Sequence, residues 1–168
     1  MGRRKKQRGS TPATATLSRH GIVFATHGYD HDPAAESYGL EAAEALGVDA
    51  ARIFKTLLAS VDGDLTVGIV PVLTSLDLKA LARTIGARKA VMADPADVER
   101  ATGYVVGGVS PVGQRRQLRT VLDTSATLYD SILVSGGRRG FDIELAAQDL
   151  RYVTDAMIAD IARTTTRR

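Results

Sequence analysis

A chain of 168 residues with no cysteine excludes disulfide staples and thiol catalysis, and its 44% apolar content suffices for one domain with a buried core. It holds no unbroken apolar run long enough to span a membrane, and three scattered histidines without cysteine speak against a structural zinc site. The net charge of +3 is unevenly placed: Arg3, Arg4, Lys5, Lys6 and Arg8 carry five positive charges, which leaves residues 11–168 at −2. The charged start lacks the apolar stretch of a secretory signal, so a cytoplasmic protein is expected. Residues 1–10 are too polar to fold and are expected to be disordered, either as a solubilising extension or as a nucleic-acid arm.

Thr11-Pro12 reads as a helix N-cap and first helical position, with Gly21 as the stop. The β-branched residues 22–26 predict a strand, followed by the loop His27-Gly28-Tyr29-Asp30-His31-Asp32-Pro33. Its histidines stand four apart, a spacing that serves a metal on a helix, but Gly28 and Pro33 argue for a loop, and no metal is expected. Residues 34–46, rich in alanine and glutamate, predict a helix closed by Gly47.

Two apolar runs, 52–61 and 65–72, join through Asp62-Gly63 and predict a β-hairpin. Period-two alternation sets Lys55 on one face with Ile53, Leu57, Ala59 and Val61. Lysine is almost never fully buried unpaired. Lys55 is therefore either a charge guarding a sheet edge or a cation in an apolar-walled pocket, placed to meet an anionic or carbonyl oxygen. Ser75 or Asp77 opens a further helix that closes at Gly86, residues 89–92 form a short strand, and Asp94-Pro95 opens a helix closed by Gly103. Residues 118–122 and 131–135 read as strands and 153–162 as a closing helix before a polar tail. This mixture favours an α+β fold with a mixed sheet over a doubly wound parallel one.

The stretch Thr102-Gly103-Tyr104-Val105-Val106-Gly107-Gly108-Val109-Ser110-Pro111-Val112-Gly113 packs four glycines, a serine and a proline into residues 103–113. Such a backbone is either a structural turn or a loop shaped so that something can approach it closely. It is neither a Walker A loop nor a dinucleotide fingerprint. Arg115, Arg116 and Arg119 follow it. A second glycine-rich turn, Ser135-Gly136-Gly137-Arg138-Arg139-Gly140-Phe141-Asp142-Ile143-Glu144-Leu145, reads as a tight hairpin or an oxyanion-holding nest.

Five blocks carry a family resemblance: the loop 27–33, Phe54-Lys55-Thr56-Leu57-Leu58, Met92-Ala93-Asp94-Pro95, the stretch 102–113 with its Gly107-x-x-x-Pro111 element, and Val134 through Leu145. In this order, over residues 12–163, the chain resembles the trans-acting Cys-tRNA(Pro) deacylases (YbaK-type), relatives of the editing insertion domain of prolyl-tRNA synthetases. The resemblance implies a single domain over 11–163 between tails at 1–10 and 164–168, with a strongly curved, barrel-like mixed sheet flanked by helices. It implies hydrolysis of the ester of mischarged tRNA without cofactor, the substrate cysteine's own thiol attacking its ester carbonyl. The family's key lysine falls on Lys55, acting with Gly107. Substrate contacts fall on Tyr29, Thr56, Gly108, Ser110, Ser135 and Asp142, and on Tyr38, where the family usually has phenylalanine. Arg115, Arg116, Arg119, Arg138 and Arg139 are candidates for gripping the acceptor end, and prolyl-tRNA synthetase is a candidate partner. Editing of another small amino acid such as alanine, or tRNA binding without turnover, are the rival readings. Independently of the resemblance, the sequence holds no G-x-S-x-G nucleophile elbow.

Overall fold

Thr11 opens α1 (Pro12–Arg19) with a reciprocal cap: its hydroxyl accepts from the Thr14 N–H, and the Thr14 hydroxyl accepts from the Thr11 N–H. The computed structural model describes residues 10–35 and 37–164, so the tails expected at 1–10 and 164–168 lie, apart from Ser10 and Thr164, outside the described residues. After α1 come β1 (Phe24–Gly28) and α2 (Tyr38–Leu46), which begins later than the alanine-rich composition predicts because Ser37 is its N-cap.

The Asp-Gly hairpin forms as expected. Asp62 and Gly63 take φ of 48° and 89°, the paired positive values that a tight hairpin turn of this hand requires, and β2 (Phe54–Val61) runs antiparallel to β3 (Asp64–Pro71). The chain continues through β4 (Thr74–Leu76), α3 (Leu78–Thr84), β5 (Ala90–Met92) and α4 (Pro95–Thr102), with Asp77 and Asp94 capping the two helices. Beyond the central loop lie β6 (Arg119–Asp123), β7 (Ile132–Arg138), β8 (Phe141–Leu145), α5 (Ala147–Thr154), β9 (Met157–Ala159) and β10 (Ala162–Thr164).

The expected barrel-like, strongly curved sheet is not what these strands build. They form a five-stranded mixed sheet of order β5-β2-β3-β6-β9, a three-stranded antiparallel sheet β1-β8-β7, and the pair β10-β4. A bridge from Ile53 to Leu133 links the two larger sheets, and among the described residues neither closes on itself. β5 and β9 end the larger sheet with three residues each, too short a ladder to carry it round to a closing partner. Phe54, Leu58, Val67, Ile69, Leu122, Val134 and Ile143 form the main core, and a second cluster packs Leu81 against Val70, Val121 and Ile161. Among the described residues no helix is long and apolar enough to cross a membrane.

The closing helix predicted at 153–162 is also corrected. α5 stops at Thr154, Asp155 takes a left-handed φ of 53°, and the apolar residues beyond it add β9 parallel to β6. Their spacing suits a strand as well as a helix, and tertiary pairing decides. The decisive contact is the buried Asp123, whose Oδ1 accepts the N–H groups of both Ile161 and Ala162 at 2.9 Å. Asp123→Ala removes the acceptor for two backbone donors and should cost at least ~3 kcal/mol, whereas Asp123→Asn, which keeps an oxygen there, should cost less. Urea unfolding checks this, and a loss below ~1 kcal/mol for the alanine variant would contradict it.

Candidate active site

β2 has strand neighbours on both sides only from Ala59 to Val61, where β5 joins it. From Phe54 to Leu57 it is paired with β3 alone among the described residues, and its open flank is bounded by the Ile53–Leu133 bridge at one end and, at the other, by β5 and the Ala93 N–H that donates to the Leu58 carbonyl. A cavity of about 390 Å³ is lined by this stretch of β2, by Ser135, Arg138 and Asp142 of the β7–β8 hairpin, and by Val106, Gly107 and Val109 of the central loop. Tyr38 and Gly39 at the start of α2 add to it, as does an apolar wall of Met92, Ala93, Pro95 and Val98 from β5 and α4. Its size is that of a small-molecule site.

Lys55 lies in this cavity between Ile53 and Leu57, on the stretch of β2 whose flank away from β3 is unpaired among the described residues. Burial holds its ammonium below the usual lysine range, and the ammonium has no hydrogen-bond or ion-pair partner among the described residues. Asp142 lines the same cavity and is 7% exposed. Burial drives its carboxyl up to about 7, partly opposed by His27, and no hydrogen bond satisfies it among the described residues. The Thr56 hydroxyl oxygen is shut off from solvent, with no hydrogen-bond partner among the described residues. Burial, then the charges of Asp142 and Glu41, push the Tyr29 phenol well above its ordinary value, so it stays a neutral donor.

The central loop divides into two parts. Gly107, at φ 89°, faces the cavity, and a Cβ there would stand 2.9 Å from the Tyr38 ring. Arg139 closes this corner: its Nε and Nη2 donate to the Val106 carbonyl at 3.1 and 2.7 Å, and its guanidinium lies 5.5 Å from the Tyr38 ring centroid. Gly108 and Ser110 do not line the cavity. A Cβ on Gly108 would meet the Arg138 backbone at 2.8 Å, and the fully buried Ser110 hydroxyl accepts the Val112 N–H, so both serve the loop's packing. Arg115, Arg116 and Arg119 are exposed on the segment that follows, while Arg138 stacks 4.2 Å over the Phe141 ring. The Ser135 hydroxyl accepts the Gly137 N–H at the bulge in β7.

Sequence reasoning missed one polar cluster, which includes His27, the cross-strand partner of Asp142. The Glu144 carboxylate accepts from His27 Nε2 at 2.9 Å, from Arg52 Nη2 at 2.7 Å and from the Ser131 hydroxyl. Ser131 foremost, then His27 and Arg52, hold Glu144 below the usual carboxylate range. His31 is likewise engaged, its Nδ1 lying 3.3 Å from Glu41. The Met92–Pro95 wall had a sequence signal, as one of the five blocks, but no role attached to it.

This cavity can be set beside known proteins. Residues 32–153 match the aminoacyl-tRNA editing domain family. The chain belongs to that family. An Enterococcus faecalis protein provisionally named Cys-tRNA(Pro)/Cys-tRNA(Cys) deacylase EbsC is 37% identical over 165 residues, covering 94% of this chain and 96% of that one. A proline–tRNA ligase of Shouchella clausii is 34% identical over 127 residues, which are 68% of this chain but 22% of the ligase. A solved structure, provisionally described as a trans-editing enzyme for prolyl-tRNA synthetase, superposes with a TM-score of 0.78 at 26% identity, covering 90% of this chain and 95% of that one. Within the editing-domain fold, all five ordered blocks border the cavity or pack directly behind it.

A buried carboxyl raised above its unfolded value disfavours the folded state once pH is high enough to ionise it. Asp142→Asn removes that penalty. Each tenfold weakening of the acid is worth about 1.4 kcal/mol, so the variant should gain up to about 4 kcal/mol over the wild type at pH 8. The gain should shrink as pH falls from about 7 towards the ordinary aspartate value of 3.8. Urea unfolding across pH tests this, and an asparagine variant less stable than wild type at pH 8 would contradict it.

Proposed function

We propose that the protein is an aminoacyl-tRNA deacylase acting in trans on a mischarged tRNA, with Cys-tRNA(Pro) as its substrate. The observation that carries this reading is a pair of groups in one cavity, the Lys55 ammonium and the Asp142 carboxyl, without a hydrogen-bond partner among the described residues. An aminoacyl ester brings the complementary pair, a carbonyl oxygen that gains negative charge in reaction and an α-ammonium. Asp142, ionised, takes the ammonium. Lys55 takes the carbonyl oxygen and stabilises the oxyanion. Tyr29 supplies a further hydrogen bond, and the Met92–Val98 wall receives the small side chain.

No hydroxyl in the cavity is paired with a base among the described residues. Ser37 caps α2, Ser135 accepts from Gly137, and His27 and His31 are bound to glutamates. This favours a substrate that brings its own nucleophile. The cysteine sulfur attacks the ester carbonyl carbon, the S–C bond forms as the C–O bond to the terminal ribose breaks, and the thiol proton passes to the departing ribose oxygen. The tRNA leaves with its hydroxyl restored, and water opens the thiolactone to cysteine. The protein's part is to hold the reacting atoms together in a site with the oxyanion donor in place. Such a check is useful because a proline pocket separates similarly small amino acids by only about 1–3 kcal/mol.

The acceptor end of the tRNA is the partner. Arg138 and Arg139 stand at the cavity and its rim, and Arg115, Arg116 and Arg119 offer exposed charge for phosphates. The similarity to a segment of a proline–tRNA ligase supports prolyl-tRNA synthetase as the enzyme whose errors are corrected.

Lys55→Ala should lower single-turnover hydrolysis of Cys-tRNA(Pro) by about 100-fold or more with the fold intact. Lys55→Arg should fail too, since a planar guanidinium does not replace a compact ammonium. Ser-tRNA and Ala-tRNA should be hydrolysed far more slowly than Cys-tRNA. Near-wild-type rates in the alanine variant would overturn the site, and equal rates for alanyl and cysteinyl esters would replace thiol attack with water attack.

A further inference from the structure

β1 pairs with β8 so that His27 lies opposite Asp142, which places the two side chains on one face of the three-stranded sheet. Glu144, two residues along β8, shares that face. Glu144 is an ionised acceptor held by Arg52 and Ser131, so the His27 Nε2 it engages must carry a hydrogen. We propose that His27, clamped by Glu144, Arg52 and Ser131, is a positioning residue that biases Asp142 towards its carboxylate form, ready for the substrate's α-ammonium.

The surroundings of Asp142 leave this task to His27. On its own strand stands Glu144, whose negative charge is answered by Arg52 and by the Ser131 hydroxyl. From β7 come Ser135, directly opposite, and Arg138, stacked on Phe141. Tyr29, just beyond β1, is a neutral phenol, and Lys55 reaches the cavity from β2. Burial opposes the charged form of Asp142, and His27 is the neighbour whose charge favours it. His27 makes no hydrogen bond to Asp142 among the described residues, so it acts through space. A histidine changes charge between pH 5 and 8, where a carboxyl raised to about 7 also titrates.

The inference rests on the aminoacyl-ester reading of the cavity, but its first test uses no tRNA. The Asp142 carboxyl carbon is followed by NMR across pH in the full-length wild type and in His27→Gln, which keeps an amide donor for Glu144 and loses the titrating charge. The Asp142 midpoint should rise by about 0.5 pH unit or more, and the KM for Cys-tRNA at pH 7 should rise about twofold or more, recovering at pH 9. In the wild type alone, the Asp142 signal should show a second inflection coinciding with the titration of the His27 ring. An Asp142 midpoint unchanged in His27→Gln, or a wild-type titration free of any His27 inflection, would overturn the proposal. A shifted midpoint in a protein that deacylates no charged tRNA would uphold the coupling and reject the pocket's assignment instead.

Discussion

The structure depends on a ladder that is left incomplete. Over Phe54 to Leu57, β2 is hydrogen-bonded to β3 on one side and, among the described residues, to no strand on the other. An unpaired strand flank is a liability unless something covers it. Here the cover is the β7–β8 hairpin, the central loop and the start of α4, held off far enough to leave a cavity. The Ile53–Leu133 bridge and the β2–β5 pairing mark its two ends, so its length is set by strand register.

That arrangement makes two charged side chains costly to the fold. Lys55 loses hydration without gaining a partner among the described residues, and burial raises Asp142 towards neutrality. Groups that a folded protein leaves unsatisfied in one concave space are where a ligand of complementary charge can be held. The same logic explains the central loop. Gly107 admits the Tyr38 ring and Arg139 to the cavity corner, while Gly108 lets the loop lie against the Arg138 backbone and Ser110 holds the loop's own turn through Val112.

Much of this was legible in the sequence, because local rules and global packing agree there. Thr11-Pro12, Asp62-Gly63 and Asp94-Pro95 do in the fold what their chemistry predicts, and the alternation through Lys55 sets it between two apolar neighbours that reach the same cavity. What was not legible depends on distant pairing. The residues after Thr154 suit either helix or strand until Asp123 captures their N–H groups. Sheet closure is decided by which edges meet, a property no local pattern carries. The Glu144 cluster joins residues 92 and 117 positions apart, so neither partner announces the other.

The central claim is that Lys55 and Asp142 await the carbonyl and the ammonium of one ester. It is tested most directly by a crystal structure with a cysteinyl-adenosine analogue whose ester is replaced by a stable amide. The expected result is Lys55 Nζ within hydrogen-bond reach of the carbonyl oxygen and an Asp142 oxygen within reach of the α-ammonium, about 2.7–3.2 Å in each case. An analogue bound outside the cavity, or inside it with Lys55 turned to solvent and Asp142 still unpartnered, would contradict the claim.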